Sequence, residues 1–263
     1  MTRIDPGWVK ALLPESPLAC EVAFFEETPS TNLAAKALAA AGAAHGTLVL
    51  CDRQTAGRGR RGRSWASDDG ASVCMSLLLR PGFSPELAPR ITIAAALGVC
   101  KALRSFGADA AIKWPNDIHA NGKKLCGILS EMGVEDGRLS YIVCGIGINV
   151  GQNAFEGELK DIATSLMLET GRTPAREDVI AAVVRGLEPC FAACGQDEAY
   201  AGLMEEYRSL SCTLGRQVTV TGTGGVLHGL AEDLDPLGRL LLRTGQGEII
   251  PIQAGDVSLR NKE

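Results

Sequence analysis

Seven consecutive residues, Gly57-Arg58-Gly59-Arg60-Arg61-Gly62-Arg63, carry four guanidinium groups and three glycines. Such a stretch suits neither a helix interior nor a core strand, because glycine weakens both and arginine is almost never fully buried without a partner. The flanking runs are its opposite. Thr47 to Cys51 (TLVLC) and Val73 to Leu79 (VCMSLLL) are nearly all apolar and read as buried strands. The heptad is therefore a loop slung between two core strands. Its chemistry is anion binding: guanidinium forks match carboxylate and phosphate oxygens, and glycine lets the backbone come close to a ligand.

A basic loop alone would also suit a nucleic acid, but the chain has a formal net charge of −5. That balance leaves no broad basic face for a phosphate backbone, and it points to a small charged ligand. The spacing matches neither the Walker phosphate loop nor the dinucleotide fingerprint. The longest apolar runs are interrupted by glycine or charge well short of a membrane span, and the N-terminal residues have no apolar leader segment, so the expected location is the cytoplasm. The nine cysteines are scattered in mostly apolar segments with no CxxC pair. They read as small core residues in a reducing compartment. Cys190 and Cys194 lie four apart, yet His45, His119 and His228 give no ligand spacing beside them, so no metal site is expected.

The patterns predict a mixture of helices and strands. Ser30 or Thr31 caps an alanine-rich helix reaching about Gly42, and a helix spans roughly 85–106, ended by Gly107. A strand from Ala111 is brought to a stop at Pro115 and followed by Asn116 and Asp117, side chains suited to a turn. Asn121-Gly122 is a hairpin signal that launches a strand from Lys123 to Glu131, and Asp136-Gly137 turns back into Leu139 to Val150. In that last strand Gly145 and Gly147 imply close approach by another element or a ligand. Two packing helices follow, from Glu177 and from Asp197. After Cys212 short β runs with glycine turns make a small barrel-like domain. The expected division is 1–211 and 212–263.

Six motifs in order resemble one family, the biotin protein ligases, also called biotin–[acetyl-CoA-carboxylase] ligases. They are Ser30-Thr31-Asn32; Gln54 with Gly57 to Arg63 and Trp65; Lys113-Trp114-Pro115-Asn116-Asp117; Lys124 to Leu129; Gly145 to Asn149; and Gly255 to Arg260. The resemblance implies an α+β fold, a central mixed sheet with flanking helices of the class II synthetase and biotinyl-lipoyl ligase type, and a C-terminal SH3-like barrel. It implies the monofunctional type, because the residues before Phe24 are too few for a winged helix.

It implies, too, that biotin's carboxylate attacks the α-phosphorus of ATP, giving biotinyl-5'-AMP. The acyl group then passes to a lysine of the biotin carboxyl carrier protein of a biotin-dependent carboxylase such as acetyl-CoA carboxylase. Mg²⁺ would screen the polyphosphate with few protein ligands. By the same resemblance Ser30, Thr31 and Gln54 surround the ureido ring, and Asn32 beside them is a further binding residue. Gly57, Arg58, Gly59, Arg60, Arg61 and Gly62 cover carboxylate and phosphate with Trp65 beside them. Lys124 sits where the two anions meet, next to Gly127. Lys113, Asn116 and Asn149 fall on the adenylate side, and Phe155 is the one aromatic available to close over adenine. Asp117 is the candidate base for the acceptor amine, or else simply closes a turn. The resemblance allows a homodimer. A lipoate-type ligase is the nearest alternative, and a nucleic-acid-binding regulator a more distant one.

Overall fold

The computed structural model describes residues 3–66, 70–222, 225–253 and 255–259. Arg260, which closes the last of the six motifs, lies outside them, as does part of the turn expected over 222–225. In chain order the elements are α1 (Pro6–Leu12), β1 (Glu21–Thr28), α2 (Thr31–Ala40), β2 (Thr47–Gln54), β3 (Ser72–Leu79), α3 (Pro89–Ser105), β4 (Ala110–Lys113), β5 (Asp117–Ala120), β6 (Lys123–Glu135) and β7 (Arg138–Asn149). There follow α4 (Leu166–Thr170), α5 (Arg176–Ala193), α6 (Asp197–Leu210), β8 (Gln217–Gly222), β9 (Gly225–Leu234), β10 (Leu240–Thr244), β11 (Ile249–Ile252) and β12 (Asp256–Leu259).

The first seven strands form one mixed sheet in the order β1-β2-β3-β7-β6-β5-β4. Only β1 and β2 run parallel; the other pairs are antiparallel. Strand side chains alternate between faces, and here both faces are covered, so β3 is buried at every position and β2 along its first five. Leu48, Leu50, Met75, Leu77, Ile142 and Ile146 pack with α3, α5 and α6 in the main core. Val49, Leu78 and Val143 face the other way, onto Ala35 and Ala39 of α2. Because α2 is short, it covers only part of its face. The remainder, over the glycines of β7, is where the arginine loop lies.

Two expectations need correction. Residues 21–28, read only as a lead-in, form edge strand β1, whose mixed burial left no clean alternation to read. The strand expected to stop at Pro115, with Asn116 and Asp117 in a turn, ends earlier: β4 ends at Lys113, Trp114-Pro115-Asn116 makes the turn, and β5 returns so that Lys113 pairs with Asp117. The Trp114–Pro115 peptide is cis. Asp117 thus opens a strand and does not close one.

Strands β8 to β12 form a separate antiparallel sheet in the order β11-β10-β9-β8-β12. Trp114 ties it to the main sheet: its indole N–H donates to Gly238 O at 2.9 Å and its backbone N–H to Thr213 Oγ1 at 2.9 Å. Cys212 N–H donates to Ile112 O, continuing the link. Seven of the nine cysteines are buried, all but Cys20 and Cys212, and none is in a disulfide. Burial pushes the thiols of Cys100, Cys144 and Cys194 up to about 12, so they are unreactive packing groups.

Candidate functional site

The arginine loop is a tight hairpin. Gly59 N–H donates to Arg63 O at 2.7 Å, Trp65 N–H donates to Gly57 O at 2.9 Å, and Arg61 at the tip has left-handed φ 56 and ψ 37. This folds the loop back so that Trp65 lies against the sheet. A methyl group on Gly147 would come within 2.4 Å of the Trp65 ring, and one on Gly145 within 2.1 Å of Asn32 Oδ1. The two glycines read from sequence as points of close approach are the floor under Trp65 and Asn32.

Ser30, Thr31, Asn32, Gln54, Arg58, Gly59, Arg60, Trp65, Asn116, Lys124 and Gly127 all line one cleft of about 50 Å³. That is far below the roughly 300–1,000 Å³ of sites that bury a small ligand. A larger cavity of about 370 Å³ lies between α3, the edge of β6 and the turn Leu237–Arg239, and shares Arg60, Ile128 and Leu129 with the cleft. We place the site at the smaller one, because the converging donors and charges are there.

Donors and acceptors in the cleft are fixed by a chain of bonds. Gln54 Oε1 accepts from Thr31 N–H at 2.8 Å, Ser76 Oγ bonds Thr31 Oγ1 at 2.8 Å and Asn32 Oδ1 at 2.7 Å, and Asn32 Nδ2 donates to Glu131 Oε2 at 2.8 Å. Burial alone would raise the Glu131 carboxyl. Hydrogen bonds from Lys36 and Asn32, with the charges of Lys36 and Arg58, hold it below its ordinary range. Glu131 and Ser76 were not expected here; their roles come from contacts 99 and 44 residues away in sequence.

The cationic side of the site is equally ordered. Arg60 Nη1 donates to Asn116 Oδ1 at 2.7 Å, and Asn116 Nδ2 donates to Ile128 O at 2.6 Å. Burial lowers the Arg60 pKa, with Asp117 and Asp256 opposing that shift. Lys124 Nζ stands 2.8 Å from Asp117 Oδ1 and 5.8 Å from the centroid of the Trp65 ring. A carboxylate and an aromatic face thus meet at one ammonium, with the half-buried Arg60 in the same cleft wall.

Not every expected residue lines the cleft. Lys113 is across the hairpin from Asp117, and Asn149 is buried with its amide donating to Thr164 O at 2.9 Å. Phe155 borders neither cavity. Arg61 and Arg63 point outward to the C-terminal sheet: Arg61 Nη1 donates to Thr221 O, and Arg63 Nη2 contacts Asp256 Oδ2 at 3.0 Å. The second sheet therefore holds the outer side of the arginine loop. These pairs are half exposed, and each is worth only about 0.2–1 kcal/mol. Asp256→Ala is accordingly expected to speed tryptic cutting within residues 58–63 by about two- to fivefold; an unchanged cutting rate would show that the latch carries no free energy.

His119 lies behind this network, facing Lys113, Asp117 and Lys124. Burial, aided by the Lys113 charge, takes its pKa down to about 4. A histidine depressed in the folded state is protonated first in the unfolded one, so stability is lost as pH falls from about 6.5 to about 4. His119→Gln should remove up to about 3 kcal/mol of that acid sensitivity, read as the difference in urea-unfolding free energy between pH 7 and pH 4.5. An unchanged pH slope would contradict it.

Comparison with known proteins agrees with this geometry. Residues 24–149 match the biotin/lipoate A/B protein ligase family, and residues 213–260 match the biotin protein ligase C-terminal domain. The chain is 40% identical over 236 residues to the bifunctional ligase/repressor BirA of Bacillus subtilis, covering 88% of this chain and 71% of that protein. It is 36% identical to the biotin–[acetyl-CoA-carboxylase] ligase of Mycobacterium tuberculosis, over 88% of this chain and 86% of that one. The biotin protein ligase of Aquifex aeolicus, solved with biotin and ATP, superposes with a TM-score of 0.77 at 30% identity, over 92% of this chain and all of that one. The fold and the paired matches define a ligase of the biotin/lipoate class, and within that class the chain belongs to the biotin protein ligase family.

Proposed function

We infer that the protein joins biotin to a carrier protein in two steps. A biotin carboxylate oxygen attacks the α-phosphorus of ATP, the bond to pyrophosphate breaks, and biotinyl-5'-AMP forms. A lysine amine of the biotin carboxyl carrier protein then attacks the acyl carbon, AMP leaves, and the amine loses a proton. The observation that carries this reading is the convergence of Lys124, Arg60 and Arg58 on a cleft whose other wall is the hydroxyl and amide set Ser30, Thr31, Asn32 and Gln54.

In this reading the hydroxyl and amide set binds the ureido ring, where matched polar groups discriminate well. Lys124 neutralises carboxylate and α-phosphate where they meet, and Arg58 and Arg60 with the loop N–H groups hold the developing charge. Asp117 aims Lys124 and is the proposed base for the acceptor amine. Asn116, Lys113 and Asn149 serve the nucleotide side, and Arg61, Gly62, Gly57 and Gly59 shape the lid. Among the described residues no cluster of three His, Cys, Asp or Glu side chains forms a metal cage. This suits Mg²⁺ held by ATP oxygens and water, where it would screen the phosphate charge.

The proposed domain division is 1–211 and 212–263, the second part SH3-like. A homodimer is supported by the edge of β6: its pairing with β5 stops at Gly127, and Met132 and Val134 beyond it are exposed. The proposed compartment is the cytoplasm, which suits buried free thiols; no helix among the described residues is long and apolar enough to cross a membrane. The net charge of −5 gives no support to a nucleic-acid partner. Exchange of labelled pyrophosphate into ATP tests the acid: it is expected with biotin and not with lipoate, and lipoate-dependent exchange would assign the chain to the other branch of the family.

A further inference from the structure

Lys124 is placed by its backbone as well as by Asp117. Strand β7 ends at Asn149, and beyond it a returning segment takes β7's place beside Lys124: Lys124 N–H donates to Ile162 O at 2.7 Å and Thr164 N–H donates to Lys124 O at 2.9 Å, a parallel bridge centred on Ala163. On its other side Lys124 follows the Asn121–Gly122 turn, in which both residues have positive φ. Turn and segment are 43 residues apart at Asn121 and Thr164, and one side chain joins them. Glu169, half-buried on α4, accepts from Thr164 Oγ1 with Oε1 at 2.5 Å and from Asn121 Nδ2 with Oε2 at 2.6 Å.

We propose that Glu169 is a positioning residue for the ligase reaction: its carboxylate brackets the turn that launches β6 to the segment that pairs with Lys124, and so fixes where the ammonium stands. Glu169 does not line the cleft, forms no ion pair among the described residues, and belongs to none of the six motifs. The bond to Thr164 is local to the start of α4, but a carboxylate serving only helix stability has no need of the second bond, to Asn121 48 residues away. The effect on catalysis follows from reach, since a reacting group displaced by about 1 Å can cost on the order of a hundredfold in rate.

The inference rests on the biotin ligase reading, and its test separates the two. Glu169→Ala is expected to lower the turnover of biotin-dependent pyrophosphate exchange by roughly 5- to 50-fold, with biotin affinity and melting temperature little changed. Glu169→Gln can accept from Asn121 and donate to Thr164, and should restore most of the rate. Asn121→Ala cuts the same bracket, so its loss should not add to that of Glu169→Ala. Unchanged turnover in Glu169→Ala, a Gln variant as impaired as Ala, or additive losses would each overturn the proposal. A structural readout stands beside these: the Lys124 Cε signal in carbon NMR, assigned through its loss in Lys124→Arg, lies near the Trp65 ring and should shift in Glu169→Ala. If the wild type gave no biotin-dependent exchange the ligase reading would fall, while an unmoved Lys124 signal would remove the bracket whatever the substrate.

Discussion

Lys124→Met leaves biotin bound and lowers the rate of adenylate formation by about 10²- to 10³-fold, the usual cost of removing one preorganised group at developing charge. The methionine keeps the length of the stem and its packing over Gly127 and Trp65, so the change isolates the ammonium. In the proposed complex that ammonium matters most where carboxylate and α-phosphate are pressed together, a geometry that exists only with both substrates bound. Biotin alone keeps its contacts to Ser30, Thr31 and Gln54. The comparison is therefore between biotin affinity by calorimetry and single-turnover adenylate formation. Equal losses in both would place Lys124 in uniform binding and take the junction role from it.

Arg60→Gly has the second large effect, on retention of the intermediate. Arg60 is half-buried, bonded to Asn116, and lies in the wall common to the cleft and the larger cavity. A charge-assisted bond to the adenylate is worth about 1.5–3 kcal/mol, so its loss should raise the rate of adenylate dissociation by roughly ten- to a hundredfold. Formation should suffer less. The variant then releases a reactive acyl-adenylate, and lysines of an added bystander protein become biotinylated where the wild type labels only its carrier. An unchanged off-rate in a folded, adenylate-forming Arg60→Gly protein would take Arg60 out of the lid.

The parts of the site legible in the sequence are those where local chemistry is unusual. An arginine and glycine loop between apolar runs, a Ser30 at the N-cap of α2, and two glycines in a core strand each break a local pattern, and the structure brings them to one cleft. Strand β1 was not read because its apolar run, Val22 to Phe25, is short, and the glutamates around it leave no alternation. The reversal after Lys113 was hidden because Ala111 to Lys113 and Asp117 to Ala120 are each too short to read as separate strands. Glu131 and Glu169 left no signal, and Asp256 stood in the closing motif with no role attached. Each acts through a partner far along the chain, Asn32, Asn121 and Arg63 respectively, and a surface carboxylate looks the same in sequence whether or not such a partner exists.

The central claim is transfer of biotin to a carrier lysine through an adenylate. Its most direct measurement is incubation of the protein with labelled biotin, ATP and Mg²⁺ and the carrier domain of a biotin-dependent carboxylase, following label on the carrier and pyrophosphate together. The account predicts one pyrophosphate released per biotin attached, labelling confined to one lysine, and loss of both on Lys124→Met. Carrier labelling without ATP, or pyrophosphate release that lipoate supports and biotin does not, would contradict it.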